Sequence, residues 1–254
     1  MTRVFAAGEV AWQRRLGTLR QVVRQELVAR QLGGHVGPAP QRILDAGCGQ
    51  GTQALRLAAA GHDVTAVDSS PSLLKELRDQ SGSQNVCVVE ADILDMPVEG
   101  VFDVVLCHGV LMYFADPAPV LDALAARVAP GGILSLLVRN ADGLALRPGL
   151  RGEWAAAREA LSGTAYRNQL GLDTRADRRA DLTASLGGRG LGVFDWYGVR
   201  VFTDTAADDA PLPPGEELTV LLEAEAEAAH TDPYRSVAAL THLLARRPPE
   251  PECP

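Results

Sequence analysis

The chain has 254 residues and carries 24 Lys and Arg against 32 Asp and Glu, a net charge of −8. Its hydrophobic fraction of 46% beside 22% charged residues is ordinary for a globular protein and excludes a wholly disordered chain. No apolar run approaches the ~20 residues that cross a bilayer, and the first ten residues lack the apolar core of a secretory signal. The four cysteines form no Cys-x-x-Cys pair, so we expect a cytoplasmic protein with reduced thiols and no metal.

The charge is unevenly distributed along the chain. Residues 1–42 carry a net +5, residues 43–138 a net −8, residues 139–200 a net +3 and residues 201–254 a net −8. An acidic total argues against non-specific nucleic-acid binding, because affinity for phosphate comes from basic groups. The two positive segments still allow a local basic patch that faces phosphate.

Hydrophobic periodicity predicts the elements of the first half of the chain. Apolar residues at three- and four-residue spacing predict a helix over 10–32, which a Gly- and Pro-containing connector follows. Strands then alternate with helices, with strands at 42–45, 63–68, 86–90, 102–107 and 133–138, and helices at 52–60, at 71–80 and, after Asp116-Pro117, through Val128. Ser70 is expected to cap the helix that Pro71 opens. This alternation is typical of βαβ units and predicts an α/β fold with a doubly wound parallel sheet.

The second half is less regular. Residues 140–190 are polar with helical pieces, whereas 191–202 and 240–246 resemble strands and 216–230 a helix. We expect one domain made of an N-terminal helix and connector (10–40), a cofactor-binding core (41–140), a variable acceptor or lid segment (141–190), the C-terminal part of the sheet (191–247) and a disordered end (248–254).

The loop after the first strand is the sharpest motif, Asp45-Ala46-Gly47-Cys48-Gly49-Gln50-Gly51. Its Gly-x-Gly-x-Gly spacing differs from the Gly-x-Gly-x-x-Gly of dinucleotide sites, and Asp45 would repel a pyrophosphate. Asp68 ends the second strand, where an acidic side chain can accept both hydroxyls of a ribose. A nucleoside that carries a cation and no phosphate describes S-adenosylmethionine.

At these residues the chain resembles the class I S-adenosylmethionine-dependent methyltransferases. Five segments carry the resemblance in the right order, namely 42–51, Val67-Asp68, Ala91-Asp92-Ile93, 102–108 and Ala129-Pro130-Gly131-Gly132. The resemblance implies a Rossmann-like, mostly parallel seven-stranded sheet with helices on both faces. It also implies that Asp92 meets the exocyclic amine of adenine.

A narrower resemblance extends along the chain to the tRNA 5-carboxymethoxyuridine methyltransferases, which esterify the carboxylate of a modified wobble uridine. It rests on Leu19-Arg20-Gln21, 108–111, 114–117, 134–136, 140–144, 198–202 and Asp232-Pro233-Tyr234. It implies that Arg20 holds the cofactor carboxylate and that His108 lines the cofactor site. Segment 146–190 departs from the family, and Cys48 replaces a glycine.

Together these patterns predict two groups of site residues. The cofactor group contains Arg20, Asp45, Ala46, Gly47, Gly49, Asp68, Ser69, Asp92, Ile93 and His108. The acceptor group contains Tyr113, Arg139, Asn140 and Arg200. Catalytic residues stay open, with His108 the first candidate for a general base if the acceptor is an alcohol. The other four histidines share no metal-ligand spacing.

The leading hypothesis is O-methyl transfer to an oxygen acceptor, in its narrow form a carboxylate on a tRNA wobble uridine. A small-molecule methyltransferase whose segment 144–190 forms a lid is the alternative. A dinucleotide-dependent oxidoreductase is disfavoured by Asp45 and the glycine spacing, and a cofactor-binding module without catalysis stays open.

Overall fold

The computed structural model describes residues 7–82, 85–168 and 170–250. Its strands are β1 Arg42–Ala46, β2 Asp63–Asp68, β3 Val86–Glu90, β4 Phe102–His108, β5 Val128–Arg139, β6 Ala165–Arg167, β7 Asp173–Arg175, β8 Gly192–Val199 and β9 Leu240–Arg246. Seven of them form one sheet in the order β3-β2-β1-β4-β5-β9-β8. Strands β1 to β5 are parallel, whereas β9 runs antiparallel to β5 and β8. The predicted doubly wound, mostly parallel sheet is confirmed.

The helices follow the same alternation. They are α1 Glu9–Gln13, α2 Leu19–Gly33, α3 Thr52–Ala59, α4 Pro71–Ser81, α5 Ala118–Ala125, α6 Leu146–Leu150, α7 Trp154–Ser162, α8 Arg179–Gly187 and α9 Gly215–Ala228. Ser70 caps α4, as predicted: its hydroxyl accepts from the Leu73 N–H at 3.3 Å.

Two hydrophobic cores cover opposite faces of the sheet, because successive strand side chains point to opposite sides. Ile43 and Leu106 pack with the buried residues of α3 and α4. Leu44 and Val105 pack on the other face with those of α5 and α8. The carboxyl ends of β1, β2 and β4 therefore open on one edge of a rigid sheet, where ligands of such folds bind.

The helix predicted over 10–32 is wrong in one respect, since α1 and α2 are separate. Residues 14–17 form turns, and Thr18 is extended, with ψ of 156°, before α2 begins. Gly17 precedes it, and glycine has low helix propensity. The break turns α1 toward the glycine loop and places Trp12 beside it.

Two further boundaries differ from prediction. Helix α5 ends at Ala125, and β5 begins at Val128, five residues before the predicted start, with a register shift against β4 between Phe102 and Val104. Strands β6 and β7 form an antiparallel hairpin inside the irregular segment. Each has three residues, too few for alternation to reveal.

Within the described ranges, no helix is long and apolar enough to cross a membrane, and no group of three or more potential ligands could hold a metal ion. The expected disordered end, 248–254, lies outside the described residues from 251 onward.

Candidate active site

The glycine loop between β1 and α3 depends on two positions that have no room for a side chain. A Cβ atom at Gly47 would lie 2.3 Å from a Val110 methyl group, and one at Gly51 would lie 2.3 Å from a Leu77 methyl group. Both residues also have positive φ, 79° and 81°. Glycine adopts this conformation without strain, so the loop is held tightly against its neighbours.

Asp68 ties this loop to the end of β2. Its carboxylate accepts from the backbone N–H of Gly49 and of Ser70, each at 2.9 Å. Burial raises the pKa of Asp68, and these backbone donors partly offset that rise. A carboxylate has about four lone-pair sites, so Asp68 can still accept a hydrogen bond from a ligand hydroxyl group in addition to its backbone donors.

Asp45 is the second buried carboxyl group of the loop, only 4% exposed. Burial, reinforced by the charge of Asp68, raises its pKa to about 7, although Arg24 acts in the opposite direction. A bound cation would lower that pKa and favour the ionised form. The two acids therefore suit a ligand that carries positive charge and hydroxyl groups.

These groups surround a cavity of about 100 Å³, which we call the loop cavity. Of the predicted cofactor residues, its lining contains Asp45, Gly47, Gly49, Asp68 and His108. Ala46 and Ile93 lie in the hydrophobic core, and Ser69 and Asp92 stand outside the lining. The Asp92 carboxylate accepts from the Leu94 N–H at 3.1 Å.

The structure places the predicted Arg20 away from the loop cavity. Arg20 is buried, donates to the Asp204 carbonyl oxygen at 3.2 Å and pairs with Asp208. Arg24, one helical turn later, lines the loop cavity and donates to the His108 carbonyl oxygen at 3.2 Å. Sequence reasoning missed Arg24, whose signal is the four-residue spacing that puts it on the same face of α2 as Arg20.

A second cavity of about 780 Å³ adjoins the first. The two cavities meet along five residues that line both of them: Trp12, Arg24, Gly109, Tyr113 and Leu137. The described lining of the second cavity includes seven arginines but only four acids, so we call it the arginine-lined cavity. Three of the four predicted acceptor residues line it: Tyr113, Arg139 and Arg200.

Five arginines around two aspartates form what we call the arginine cluster. Asp204 pairs with Arg200 at 3.2 Å and Arg139 at 3.5 Å. Asp208 pairs with the others, Arg15 at 3.3 Å, Arg147 at 3.4 Å, and Arg20. Three positive charges therefore remain uncompensated within the cluster, which favours an anionic ligand beside it.

Arg139 and Arg200 keep donors available. Their Nε atoms are buried and have no hydrogen-bond partner among the described residues. Burial lowers the pKa of Arg200 to about 10 despite the opposing effect of Asp204, so the guanidinium stays charged at neutral pH. Burial raises the pKa of Asp204, but the surrounding arginines outweigh it and hold that pKa below its ordinary value.

Glu225 of α9, which no sequence pattern singled out, supports the segment that carries Arg200. Its buried carboxylate accepts from the backbone N–H groups of Val201, Phe202 and Thr203 and from the Thr203 hydroxyl at 2.6 Å. Arg200 itself has a φ of 61°, which is uncommon for a residue with a side chain. The four bonds hold this conformation in place.

Asn140, unlike the other predicted acceptor residues, does not line the arginine-lined cavity. Its amide nitrogen donates to the carbonyl oxygens of Ser236 at 3.0 Å and Ala238 at 2.8 Å, and its oxygen accepts from the Asp142 N–H at 3.0 Å. It lies outside both cavity linings. These bonds join the end of β5 to the turn before β9.

Comparison with known proteins agrees with this geometry. Residues 44–136 match the family model described as a methyltransferase domain. The chain is 31% identical to the tRNA 5-carboxymethoxyuridine methyltransferase of Escherichia coli (strain K12), over 91% of this chain and 89% of that protein. It is 33% identical to the ubiquinone biosynthesis O-methyltransferase of Xanthomonas axonopodis pv. citri (strain 306), over 70% and 72%.

A solved structure shows the same fold. The magnesium protoporphyrin IX methyltransferase from Synechocystis, with S-adenosylhomocysteine bound, superposes with a TM-score of 0.63. The match covers 93% of this chain and 92% of that one at 18% identity.

Proposed function

Because the chain belongs to the class I S-adenosylmethionine-dependent methyltransferases, we propose that it methylates a carboxylate, that of 5-carboxymethoxyuridine in tRNA. The observation that carries this proposal is the arginine cluster, because four of its five arginines and only one of its two aspartates line the space next to the loop cavity. The E. coli relative named for this nucleoside supports the choice of acceptor.

In this reaction the protein mainly has to bind the cofactor and the acceptor and align them. The cofactor supplies a methyl group that its sulfonium already activates. A carboxylate acceptor is ionised at neutral pH and needs no general base. Arginine presents planar, paired donors to a carboxylate, so Arg139 and Arg200 fix the orientation of the acceptor. Holding the reactants in line contributes about 7–11 kcal/mol in well-oriented systems.

The loop cavity provides the cofactor site in this proposal. Asp68 accepts from the ribose hydroxyls, and Asp45 faces the positive end of the cofactor. Arg24, rather than Arg20, is the arginine placed to meet the cofactor carboxylate, since it lines the loop cavity and Arg20 does not. Arg20 then belongs to the arginine cluster, where it neutralises Asp208.

A small-molecule acceptor is the second candidate, and the ubiquinone-pathway relative favours it. A hydroxyl acceptor would need a base. His108 is the candidate, because burial, the neighbouring His242 and Arg24 hold its pKa well below the ordinary value and keep the ring unprotonated.

Transfer of labelled methyl groups separates the two candidates. The protein is incubated with methyl-labelled S-adenosylmethionine and RNA or small-molecule fractions of a cell lysate. We expect label in tRNA that ribonuclease solubilises and that mild alkali releases as methanol, the behaviour of a methyl ester. Label confined to ribonuclease-resistant small molecules would reject the tRNA acceptor, and alkali-stable label would reject the carboxylate.

Substitution of Arg200 tests the cluster itself. Arg200→Ala should lower kcat/KM for tRNA by about 30-fold, the equivalent of about 2 kcal/mol for one truncated, buried charge contact. Affinity for S-adenosylhomocysteine in calorimetry should not change, because Arg200 lies outside the loop cavity. Arg178→Ala, which removes a partly exposed arginine paired with Asp142, is the matched control. An equal loss in both variants would remove Arg200 from the acceptor site.

A further inference from the structure

A line of hydrogen bonds, buried at its centre, runs from α2 through the sheet to the loop cavity. Gln31 Oε1 lies 2.7 Å from His242 Nδ1, and His242 Nε2 lies 2.7 Å from Ser135 Oγ. Ser135 Oγ in turn lies 2.8 Å from His108 Nε2. Ser135 and His242 are fully buried, and His108 lines the loop cavity. We call these four residues the histidine relay.

The direction of every bond in the relay follows from its first member. The Gln31 amide nitrogen donates to the Gly198 carbonyl oxygen at 3.3 Å, and a carbonyl oxygen can only accept. The amide oxygen of Gln31 therefore faces His242, so His242 carries its proton on Nδ1. His242 Nε2 is then a lone pair that takes the Ser135 hydroxyl proton.

The same argument fixes the position of the proton on His108, which lines the loop cavity. The Ser135 oxygen, having given its proton to His242, accepts from His108, so His108 carries its proton on Nε2. Its Nδ1 is left as a lone pair. That atom is buried and has no hydrogen-bond partner among the described residues, and leaving such an acceptor unpaired costs free energy. A ligand group that donates a hydrogen bond would remove this cost.

We propose that Gln31, Ser135 and His242 are positioning residues that lock His108 in its Nε2–H tautomer and so keep Nδ1 available to accept a hydrogen bond from the bound cofactor. The relay acts on the cofactor side, and its test needs no methyl acceptor. Its members are separated by up to 211 residues and meet only in the fold.

Burial keeps both rings of the relay neutral, as this role requires. Burial, together with the neighbouring His35, lowers the pKa of His242 to about 3, although Asp195 acts in the opposite direction. A protonated His242 would donate from both nitrogens and reverse the bond to Ser135. The neutral relay is therefore stable across the physiological range, and a cationic ligand meets an uncharged imidazole.

Nitrogen-15 NMR of the histidine rings tests the proposal directly. Long-range proton–nitrogen correlation of the histidine-labelled protein without cofactor distinguishes the two neutral tautomers, and loss of peaks in His108→Gln and His242→Gln assigns the rings. We expect His108 as the Nε2–H tautomer and His242 as the Nδ1–H tautomer. Finding His108 protonated on Nδ1 would overturn the proposal.

A variant then tests whether the relay sets the tautomer and whether the tautomer matters. Gln31→Leu removes the acceptor for His242 on a half-buried helical position that leucine suits. We expect the Nδ1–H tautomer of His108 to appear and affinity for S-adenosylhomocysteine to fall by about 2- to 10-fold, the size of one hydrogen bond. Ser135→Ala should give the same two changes by breaking the relay at its centre.

Gln80→Leu on α4 is the control, because its amide nitrogen donates to the Glu76 carbonyl oxygen of its own helix, away from the relay, and it should change neither quantity. An unchanged His108 tautomer in Gln31→Leu, or a changed tautomer with unchanged affinity, would overturn the proposal. These measurements contain no methyl acceptor, so they stay interpretable if the tRNA proposal fails.

Discussion

Replacing Glu225 by Gln should destabilise the protein and loosen the segment that carries Arg200. The Glu225 carboxylate is completely buried and accepts four hydrogen bonds, one at Oε2 from Val201 N–H at 2.8 Å and three at Oε1. Glutamine keeps the shape but presents an NH₂ group to one of these donors. The best orientation retains the three bonds at Oε1 and sets two donors against each other at Val201.

The expected loss in the free energy of unfolding follows from this single mismatch at Val201. Losing a bond to a charged acceptor costs about 1.5–3 kcal/mol, and a buried donor left unpaired costs about 1–3 kcal/mol. Because these losses overlap, we expect the free energy of unfolding to fall by about 2–4 kcal/mol. For a chain of this size that lowers Tm by about 4–16 °C.

Thermal and urea unfolding of Glu225→Gln measure this loss, with Glu223→Gln, an exposed residue of the same helix, as the control. The variant should also raise KM for the acceptor, since the φ of 61° at Arg200 is no longer enforced. Its affinity for S-adenosylhomocysteine should stay unchanged. A Glu225→Gln protein as stable as the control would refute the reasoning, because it would mean that these donors find other partners.

Two further predictions concern the loop cavity. Asp68→Ala should weaken S-adenosylhomocysteine binding by about 1–3 kcal/mol in calorimetry, since it removes a buried acceptor, while the exposed Asp79→Ala should not; equal affinities would remove Asp68 from the cofactor site. Asp45 has a folded-state pKa near 7, above its unfolded value of 3.8, so the folded state binds the extra proton between these limits. Its contribution to stability is therefore full below about pH 4 and is lost as pH rises through 7. In urea titrations without cofactor, the wild type should lose stability relative to Asp45→Asn between pH 5 and pH 8, and a constant difference would contradict the raised pKa.

Local pattern predicted the sheet because each strand and helix of the first half is decided by nearby residues. The alternation of apolar strands and helices, the Ser70-Pro71 cap and the glycine loop are all short-range signals, and the structure has each of them. The break in the first helix was missed because an apolar stripe continues across Gly17 and Thr18, so periodicity alone does not register the change in backbone direction.

The site residues likewise fall into two groups: those that local pattern predicts and those whose place depends on long-range packing. Asp45, Gly47, Gly49 and Asp68 follow directly from strand ends and meet in one cavity. Arg24 lies one helical turn after Arg20 on the same helix. The packing of α2 on the segment after β8 determines which of the two arginines faces the cavity. Ser135 and His242 lie 107 residues apart, and their pairing depends on β5 and β9 being neighbours, which no local pattern specifies.

These long-range contacts bring together charged residues from segments of opposite net charge. Arg139, Arg147 and Arg200 come from the positive segment 139–200, and Arg15 and Arg20 from the positive N-terminal segment. Their counter-charges, Asp204 and Asp208, come from the acidic C-terminal segment, which would otherwise repel an anion. Folding brings two acids against five bases, which makes close packing of the arginines tolerable and still leaves the cavity positive. An acidic protein thus has a positively charged cavity, because most of its surplus acids lie elsewhere along the chain.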